Sequence, residues 1–222
     1  MGIIGKLFAC LGGLVLITSY RYVPFAYTIR FHAIAIKYLF VKRNYYLNNF
    51  KVKDSHDLFK PFRTSTYCSL LEMDFFGFHK NNATYATELD CGRIDLVLSK
   101  FATYFVRFHQ KNRRFPFVPL GSIEFHFLKD IKPFQAYTCE SRILTWNEKW
   151  IFALHIFKVG KKVCTFAVSK LVFKDGRVTI KPEEVINSCG YDTTKLEAVR
   201  ARNFKLVTSM VDATELLELQ FE

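Results

Sequence analysis

The chain has 222 residues, 32 Lys plus Arg against 20 Asp plus Glu, a formal net charge of +12 and 50% hydrophobic residues. This composition excludes a disordered or acidic solvating protein, because such chains lack the apolar side chains of a core. The length excludes a miniprotein held together by disulfides. With 24 Phe and 11 Tyr, the chain can form one ordinary domain with an appendage, or two very small domains.

The positive charge is concentrated near the N-terminus. Residues 1–53 contain eight Lys or Arg and no acidic residue, whereas residues 54–222 carry 24 basic and 20 acidic side chains. The net charge is therefore +8 in the first segment and +4 in the remainder. The sequence predicts an N-terminal segment over residues 1–53, a main domain over residues 54–190 and a C-terminal tail over residues 191–222.

An uncharged stretch of 14 residues, Leu7–Tyr20, lies between Lys6 and Arg21. A bilayer span takes about 20 residues, so spanning requires extension of this stretch in one direction. A second apolar stretch, Phe31–Phe40, has basic neighbours, as in an interfacial amphipathic helix. We expect a hydrophobic N-terminal helix that directs the chain to a membrane.

The cellular location of that segment has several alternatives. The endoplasmic reticulum membrane is favoured, and a mitochondrial presequence is the alternative that the absence of acidic residues allows. A cleaved signal peptide also fits a basic residue followed by an apolar run, although no A-x-A-like cleavage site follows. A helix that packs on the domain is the structural alternative.

The main domain alternates between β-type and helical patterns. A strand, a loop, one long helix and a run of strands together predict an α+β fold in which an antiparallel sheet wraps a central helix. The tail from Glu183 onward has a helical pattern and an acidic end. The predicted strands cover residues 63–72, 118–129, 134–146, 149–159 and 162–174, with turns at Gly160 and Asp175–Gly176, and the predicted helix covers residues 83–109.

The long helix carries several local signals. Asn81 or Asn82 is suited to cap its N-terminus. Gly92 lies on its apolar face, where glycine costs about 1 kcal/mol relative to alanine, so we expect another element to approach closely there. Asp90 and Arg93 have the i, i+3 spacing of an ion pair.

No sequence-local metal or cofactor site is apparent. The six cysteines are scattered without a C-x-x-C pair, which favours a reducing compartment and buried thiols. The six histidines are equally dispersed, and Glu124, His126 and His155 have no readable partner spacing. We therefore expect these three residues to be hydrogen-bonded or on the surface, and we expect no metal and no cofactor.

The run EMDFFGFHKNNATY, Glu72–Tyr85, places an acidic residue at a strand end before the pattern H-x-N-N-x-x-Y. This run resembles the signature of hotdog-fold thioesterases. The Glu88–Arg93 run and the WNEKW hairpin at Trp146–Trp150 are similar to those of the membrane-anchored group called thioesterase superfamily member six and its fungal relatives. The resemblance covers about residues 60–175 and implies a hotdog fold.

The resemblance also implies an activity, acyl-CoA thioester hydrolysis without a metal, and a homodimer with the acyl chain between subunits. Asp74 would act as nucleophile or general base, and His79 as an acid/base or orienting donor. The free N–H groups at the helix N-terminus would polarise the thioester carbonyl. The expected substrate contacts are Gly77, Asn81, Asn82 and Tyr85, with an acyl channel lined by Phe75, Phe76 and Phe78.

One departure from the family pattern leaves alternatives open. Asp74 lies five residues before His79, where the pattern has four, so either the loop has an extra residue or Phe75 occupies the catalytic position. Asp74 would then cap the loop, and His79 would bond a backbone carbonyl. Glu88 is a second carboxylate on the helix. The alternative function is a non-catalytic acyl-lipid-binding or scaffolding protein at a membrane.

The basic run Lys111–Arg114, with Phe115 and Phe117 nearby, raises the possibility of nucleic-acid binding. No RNA-binding signature accompanies it, and positive charge is favourable at a helix C-terminus. Contact with the phosphates of coenzyme A is a third reading. We expect no nucleic-acid partner.

Overall fold

The computed structural model describes residues 2–76 and 78–210. Helices surround a five-stranded sheet, and a two-stranded hairpin lies beside it. The helices are α1 (Ile3–Thr18), α2 (Ala26–Ile36), α3 (Asn82–Asn112), α4 (Pro182–Ser188) and α5 (Thr193–Phe204). The strands are β1 (Phe62–Tyr67), β2 (Leu120–Phe127), β3 (Ala136–Trp146), β4 (Ile151–Val159), β5 (Lys162–Leu171), β6 (Phe173–Asp175) and β7 (Val178–Ile180).

The sheet is antiparallel throughout, in the order β1-β3-β4-β5-β2. Its central strand, β4, is buried on both faces: Ala153 and Phe157 lie in the two apolar clusters that include α3 residues, while the Phe152 ring is 6.3 Å from that of Phe204 on α5. A sheet wrapped around the 31-residue helix α3 confirms the predicted α+β hotdog architecture.

The approach of β3 to α3 at Gly92 is less close than predicted. A Cβ atom at Gly92 would lie 3.6 Å from the Ser141 Oγ atom, an ordinary van der Waals distance. Ser141 in turn contacts the ring of His155 on β4. An alanine side chain would therefore fit at position 92, and packing against β3 does not require the glycine.

Two predicted strand ends were wrong. The first strand stops at Tyr67 rather than residue 72, because Ser69 and Glu72 form a capping box that starts a 3₁₀ turn over Leu70–Glu72. The last long strand breaks after Leu171, and its continuation β6 pairs with β7 instead of remaining in the large sheet. Gly176 has a φ of +59° in the turn of that hairpin.

The N-terminal segment forms two helices with different surroundings. No residue of α1 is buried, whereas α2 packs along α3. After α2 the chain continues through π-helical turns at Lys37–Val41 and Tyr45–Asn49 and a 3₁₀ turn at Ser55–Phe59. Across the described ranges, none of the helices combines the length and apolar character needed to cross a bilayer.

The C-terminal tail contains α4, α5 and a 3₁₀ turn at Thr208–Met210. The predicted acidic helical end at residues 211–222 lies outside the described residues. The buried thiols predicted from cysteine spacing are confirmed for five of the six cysteines, and Cys10 on α1 is exposed.

Candidate active site

The loop between the 3₁₀ turn and α3 folds back on itself and brings Asp74 opposite His79. The backbone N–H of Asp74 donates to the His79 carbonyl at 2.7 Å, and the N–H of Asn81 donates to the Glu72 carbonyl at 2.6 Å. Met73 and Lys80 form an isolated antiparallel bridge between these bonds. The two candidate catalytic side chains are therefore held in one tight hairpin at the start of α3.

A buried ion pair lies beneath this hairpin. Lys80 Nζ contacts Glu72 Oε1, and each residue is only 1% exposed. The other carboxylate oxygen of Glu72 accepts the Ser69 N–H at 2.8 Å, and Tyr137 donates to Oε1 at 3.4 Å. Glu72 and Lys80 lie on opposite sides of the hairpin, so the ion pair joins its two ends. Loss of either partner would leave a buried charge uncompensated, which is strongly destabilising.

Three tyrosine rings surround the buried ammonium group. Lys80 Nζ lies 5.0 Å from the ring centroid of Tyr85, 5.2 Å from that of Tyr137 and 5.5 Å from that of Tyr22, within the range of cation–π attraction. Burial, reinforced by the carboxylates of Glu72 and Glu88, raises the pKa of the Tyr22 and Tyr137 phenols well above the ordinary value. Both phenols therefore stay protonated and serve as hydrogen-bond donors.

The Asp74 carboxylate is partly exposed and is connected to the N-terminus of α3. Its Oδ1 accepts the Phe76 N–H at 3.0 Å, and its Oδ2 accepts from the Asn81 side-chain amide at 3.3 Å. The amide oxygen of Asn81 accepts the Ala83 N–H at 2.9 Å, so Asn81 is the N-cap of the helix. One asparagine thus links the candidate carboxylate to the positive end of the helix dipole.

The hydrogen bond of His79 determines its tautomer. His79 Nδ1 lies 3.0 Å from the Lys80 carbonyl oxygen, which can only accept. Nδ1 therefore carries the proton, and in the neutral ring Nε2 has the free lone pair. The backbone bond that was the structural alternative for His79 is present, and it leaves a basic nitrogen for chemistry.

The other predicted substrate contacts are dispersed. Asn82 is exposed at the first turn of α3, whereas Tyr85 is buried, with its ring 5.4 Å from that of Phe127 and 5.0 Å from that of Phe157. Gly77 lies outside the described residues. The side chains of Phe75, Phe76 and Phe78 are 85%, 89% and 68% exposed, so within one chain they lie on the surface rather than around an enclosed channel.

Glu88 has two cationic partners that the sequence did not suggest. Its carboxylate, 3% exposed, accepts from Arg21 at 2.7 Å and from Arg30 at 3.1 Å. These arginines precede Glu88 by 67 and 58 residues, so no local spacing could identify them. The related signal in the sequence was the absence of Asp and Glu from residues 1–53. Any carboxylate that pairs with Arg21 or Arg30 within the chain must therefore come from a later residue. The predicted Asp90–Arg93 ion pair is confirmed.

The remaining polar candidates have structural partners. His155 is fully buried between the hydroxyls of Ser141 at 2.8 Å and Ser169 at 2.9 Å. Burial, with a smaller effect of the Arg93 charge, lowers its pKa to about 3. Glu124 and His126 form an exposed pair at 2.8 Å. Across the described ranges, no group of three His, Cys, Asp or Glu side chains could hold a metal ion.

The basic run Lys111–Arg114 covers the C-terminus of α3. Arg113 is the C-cap in the left-handed conformation, and Arg114 pairs with Asp175 at 2.5 Å.

A cavity of about 420 Å³ lies between α2, the middle of α3 and residues 115–120. Its lining is largely apolar, with Asp90 and Arg93 as charged members, and it includes none of the hairpin residues. The cavity is therefore separate from the Asp74 site.

The sequence pattern of the thioesterase-like superfamily matches residues 68–189, more than half of the chain. A protein of Saccharomyces cerevisiae named as a probable thioesterase is 36% identical over 211 residues, which are 92% of this chain and 90% of that protein. A thioesterase of Purpureocillium lilacinum is 34% identical over 158 residues, covering 62% of this chain and 51% of its own length.

A solved structure shares the fold. The hypothetical protein of Staphylococcus aureus solved in complex with CoA has a TM-score of 0.51, with 64% of this chain and 87% of that chain covered and 8% identity. At that identity the likeness concerns the fold alone. The matching sequence pattern, the yeast relative and the helix-wrapping sheet agree, and the chain belongs to the thioesterase-like superfamily of hotdog proteins.

Proposed function

We propose that this protein hydrolyses acyl thioesters, with acyl-CoA as the substrate class. The observation that carries the proposal is the position of the Asp74 carboxylate, which Asn81 links to the N-terminus of the long helix α3. A carboxylate beside a set of oriented N–H groups can activate a nucleophile and stabilise the oxyanion that forms on the thioester. This arrangement does not require a cofactor.

The chemistry assigns a role to each side chain of the hairpin. The Asp74 carboxylate either attacks the carbonyl carbon directly or takes a proton from the water that attacks it. In the first route the C–S bond breaks as the acyl group bonds to Asp74, and water then hydrolyses this mixed anhydride and restores the carboxylate. In the second route water adds to the carbonyl carbon and the C–S bond breaks. Both routes release the free acid and transfer one proton to the thiolate. His79 Nε2, which has the free lone pair, is suited to transfer that proton. The helix N-terminus polarises the carbonyl throughout.

Membrane association and dimerisation are part of the proposal. The acid-free segment with eight cations and the exposed apolar side chains of α1 support a membrane location, with the endoplasmic reticulum favoured. The homodimer follows from the family resemblance. Carbonate extraction of cells that express the full chain should leave it in the membrane pellet. Its release into the soluble fraction would refute a stable anchor.

The test of the activity uses the full chain in mild detergent with acyl-CoAs of increasing length. Release of free thiol measures hydrolysis. We expect Asp74→Asn to lower kcat/KM by about 100-fold or more, and His79→Ala to lower it by at least about tenfold. Asp130→Asn is the matched control, because that carboxylate is 54% exposed and pairs only with Lys132 among the described residues. Wild-type turnover by Asp74→Asn would exclude the assigned role.

A non-catalytic acyl-lipid-binding protein is the second candidate. The apolar cavity of about 420 Å³ favours it, because that cavity could hold an acyl chain away from Asp74. Mass spectrometry of the purified full chain would then detect bound lipid, while no acyl-CoA of any length would be hydrolysed. Turnover that depends on Asp74 would exclude this candidate as the sole function.

A further inference from the structure

We propose that α1 and the exposed rings of Phe75, Phe76 and Phe78 form one surface that docks on an anionic lipid bilayer. The loop that carries Asp74 would then meet its acyl thioester at the membrane interface. The docking surface rests on the exposure of these side chains and on the contacts between α1 and the base of the hairpin. Only the delivery of substrate rests also on the proposed hydrolase function.

The first part of the surface is α1. Eight of its large apolar side chains are more than half exposed, whereas Val15 is partly buried. The first six of the eight follow the i, i+3, i+4 spacing of one helix face. An apolar helix face that the domain leaves exposed to water indicates an apolar partner, such as the interior of a bilayer. The exposed side chains are Ile3, Ile4, Leu7, Phe8, Leu11, Leu14, Leu16 and Ile17.

The second part is the tip of the hairpin. Phe75 and Phe76 contact each other edge to face at 5.2 Å between centroids. Phe78 has a φ of +46°, a conformation that is unfavourable for a bulky residue. A strained backbone that presents three phenylalanine rings to water, next to a candidate catalytic carboxylate, indicates that these rings have a partner outside the chain.

Two hydrogen bonds hold the end of α1 near the base of the hairpin. The Tyr67 hydroxyl donates to the carbonyl of Thr18 at the end of α1, and the Leu71 N–H lies 3.4 Å from the Ser19 hydroxyl. Leu71 is itself 47% exposed and precedes Phe75 by four residues, which span at most about 14 Å. The end of α1 therefore lies within one loop length of the phenylalanine rings.

The charge of α1 suits an anionic bilayer. Three of the eight cations in residues 1–53 pair with α3 carboxylates: Arg21 and Arg30 with Glu88, and Lys37 with Asp95. Lys6, the cation of α1, has no acidic partner within residues 2–76 and 78–210, and α1 contains no acidic residue. Anionic headgroups complement that charge.

The test uses the full chain with vesicles of phosphatidylcholine and phosphatidylserine that contain brominated acyl chains. Phe76→Trp places a reporter at the hairpin tip, and Leu206→Trp is the matched control, because Leu206 is 75% exposed and follows α5, which packs against β3. Vesicles should shift the Phe76→Trp emission to the blue and brominated lipid should quench it, relative to the parent chain. The Leu206→Trp signal should not change.

A second measurement gives the contribution of the rings. Phe75→Ser with Phe76→Ser should weaken vesicle partitioning by about tenfold or more per ring, while Leu206→Ser leaves it unchanged. Partitioning should also fall when phosphatidylserine is omitted. An unquenched Phe76→Trp signal in a chain that floats with vesicles would overturn the proposal. So would an emission shift that depends on protein concentration and not on lipid, since it would identify a second copy as the partner.

The outcomes for docking and for hydrolysis are separable. Hydrolysis of a short, water-soluble acyl-CoA in detergent does not require a bilayer. If that activity depends on Asp74 while brominated lipid fails to quench Phe76→Trp, only the docking proposal is wrong. If quenching occurs without turnover of any acyl-CoA, the surface stands and the hydrolase proposal fails.

Discussion

His155 shows how a polar side chain is accommodated in the core. It lies at the centre of the sheet, fully buried, where the two serine hydroxyls can donate to or accept from its ring nitrogens. Because each hydroxyl can rotate, the neutral ring is satisfied in either tautomer. A protonated ring would require both hydroxyls to accept while the charge remained buried near Arg93.

This environment predicts a pH dependence of stability. The pKa of His155 is about 3 in the folded chain against an ordinary 6.5, so the unfolded chain binds the proton first as pH falls. The stability due to the neutral ring is complete above pH 6.5 and decreases towards pH 3, by about 2 kcal/mol between pH 6.5 and 5.

Urea unfolding of the full chain in detergent, at neutral pH and at pH 5, measures this dependence. His155→Gln should reduce the pH-dependent loss, and the exposed His126→Gln should not. Equal pH dependence in the wild type and in His155→Gln would show that the ring titrates normally.

At the scale of elements, one buried carboxylate of α3 binds two cations of the N-terminal segment. Glu88 is almost inaccessible to water and receives both Arg21 and Arg30. Arg30 is partly buried, and its Nη1 atom has no hydrogen-bond partner within the described ranges. Two cations and one anion in a largely dry contact make the charge of Glu88 necessary for the contact.

Glu88→Gln should therefore destabilise the chain by about 3 kcal/mol or more, because two partly buried guanidinium groups lose their counter-charge. The segment before α3 should also become more sensitive to trypsin. Glu124→Gln is the control, since that carboxylate is half exposed and should change stability by less than about 1 kcal/mol. Thermal unfolding and limited proteolysis of Glu88→Gln and Glu124→Gln measure these effects. Equal effects of the two substitutions would contradict the proposed attachment.

Elements with a strong periodic pattern could be predicted, and contacts between distant residues could not. The α3 spacing and the four strand candidates specified the sheet around a helix, because burial on one face imposes a period. The break between β5 and β6 arises because β5 pairs with β2 and β4, whereas β6 pairs with β7. A local sequence pattern does not indicate which strands pair. At the site, the motif indicated Asp74, His79 and Asn81. The Glu72–Lys80 pair was not identified, because burial of opposite charges is set by the tertiary fold.

For the whole molecule, burial of the thiols determines their reactivity. Cys10 is exposed, whereas burial raises the pKa of Cys68 and Cys189 to about 11 and that of Cys139 to about 12. A buried thiol in its protonated form reacts slowly with disulfide reagents. The folded chain should therefore have a single fast-reacting cysteine.

Titration near pH 8 in mild detergent with 4,4′-dithiodipyridine, an uncharged disulfide reagent that can enter the detergent around α1, should show one thiol reacting quickly out of six. Guanidinium should make all six reactive, and Cys10→Ser should remove the fast phase. Two or more fast thiols in the folded chain would contradict the burial described above. A disulfide among the remaining cysteines would appear as fewer than six thiols after unfolding.

The contacts of the N-terminal segment with the main domain constrain how the two parts of the chain can evolve. Composition changes near residue 54, yet Arg21, Tyr22 and Arg30 reach across that point to Glu88, Lys80 and the start of α3. A shortened chain would keep Glu88 and lose both of its cations. The N-terminal segment and the main domain therefore cannot be exchanged as separate modules. We expect Arg21, Arg30 and Glu88 to have been gained or lost together during evolution.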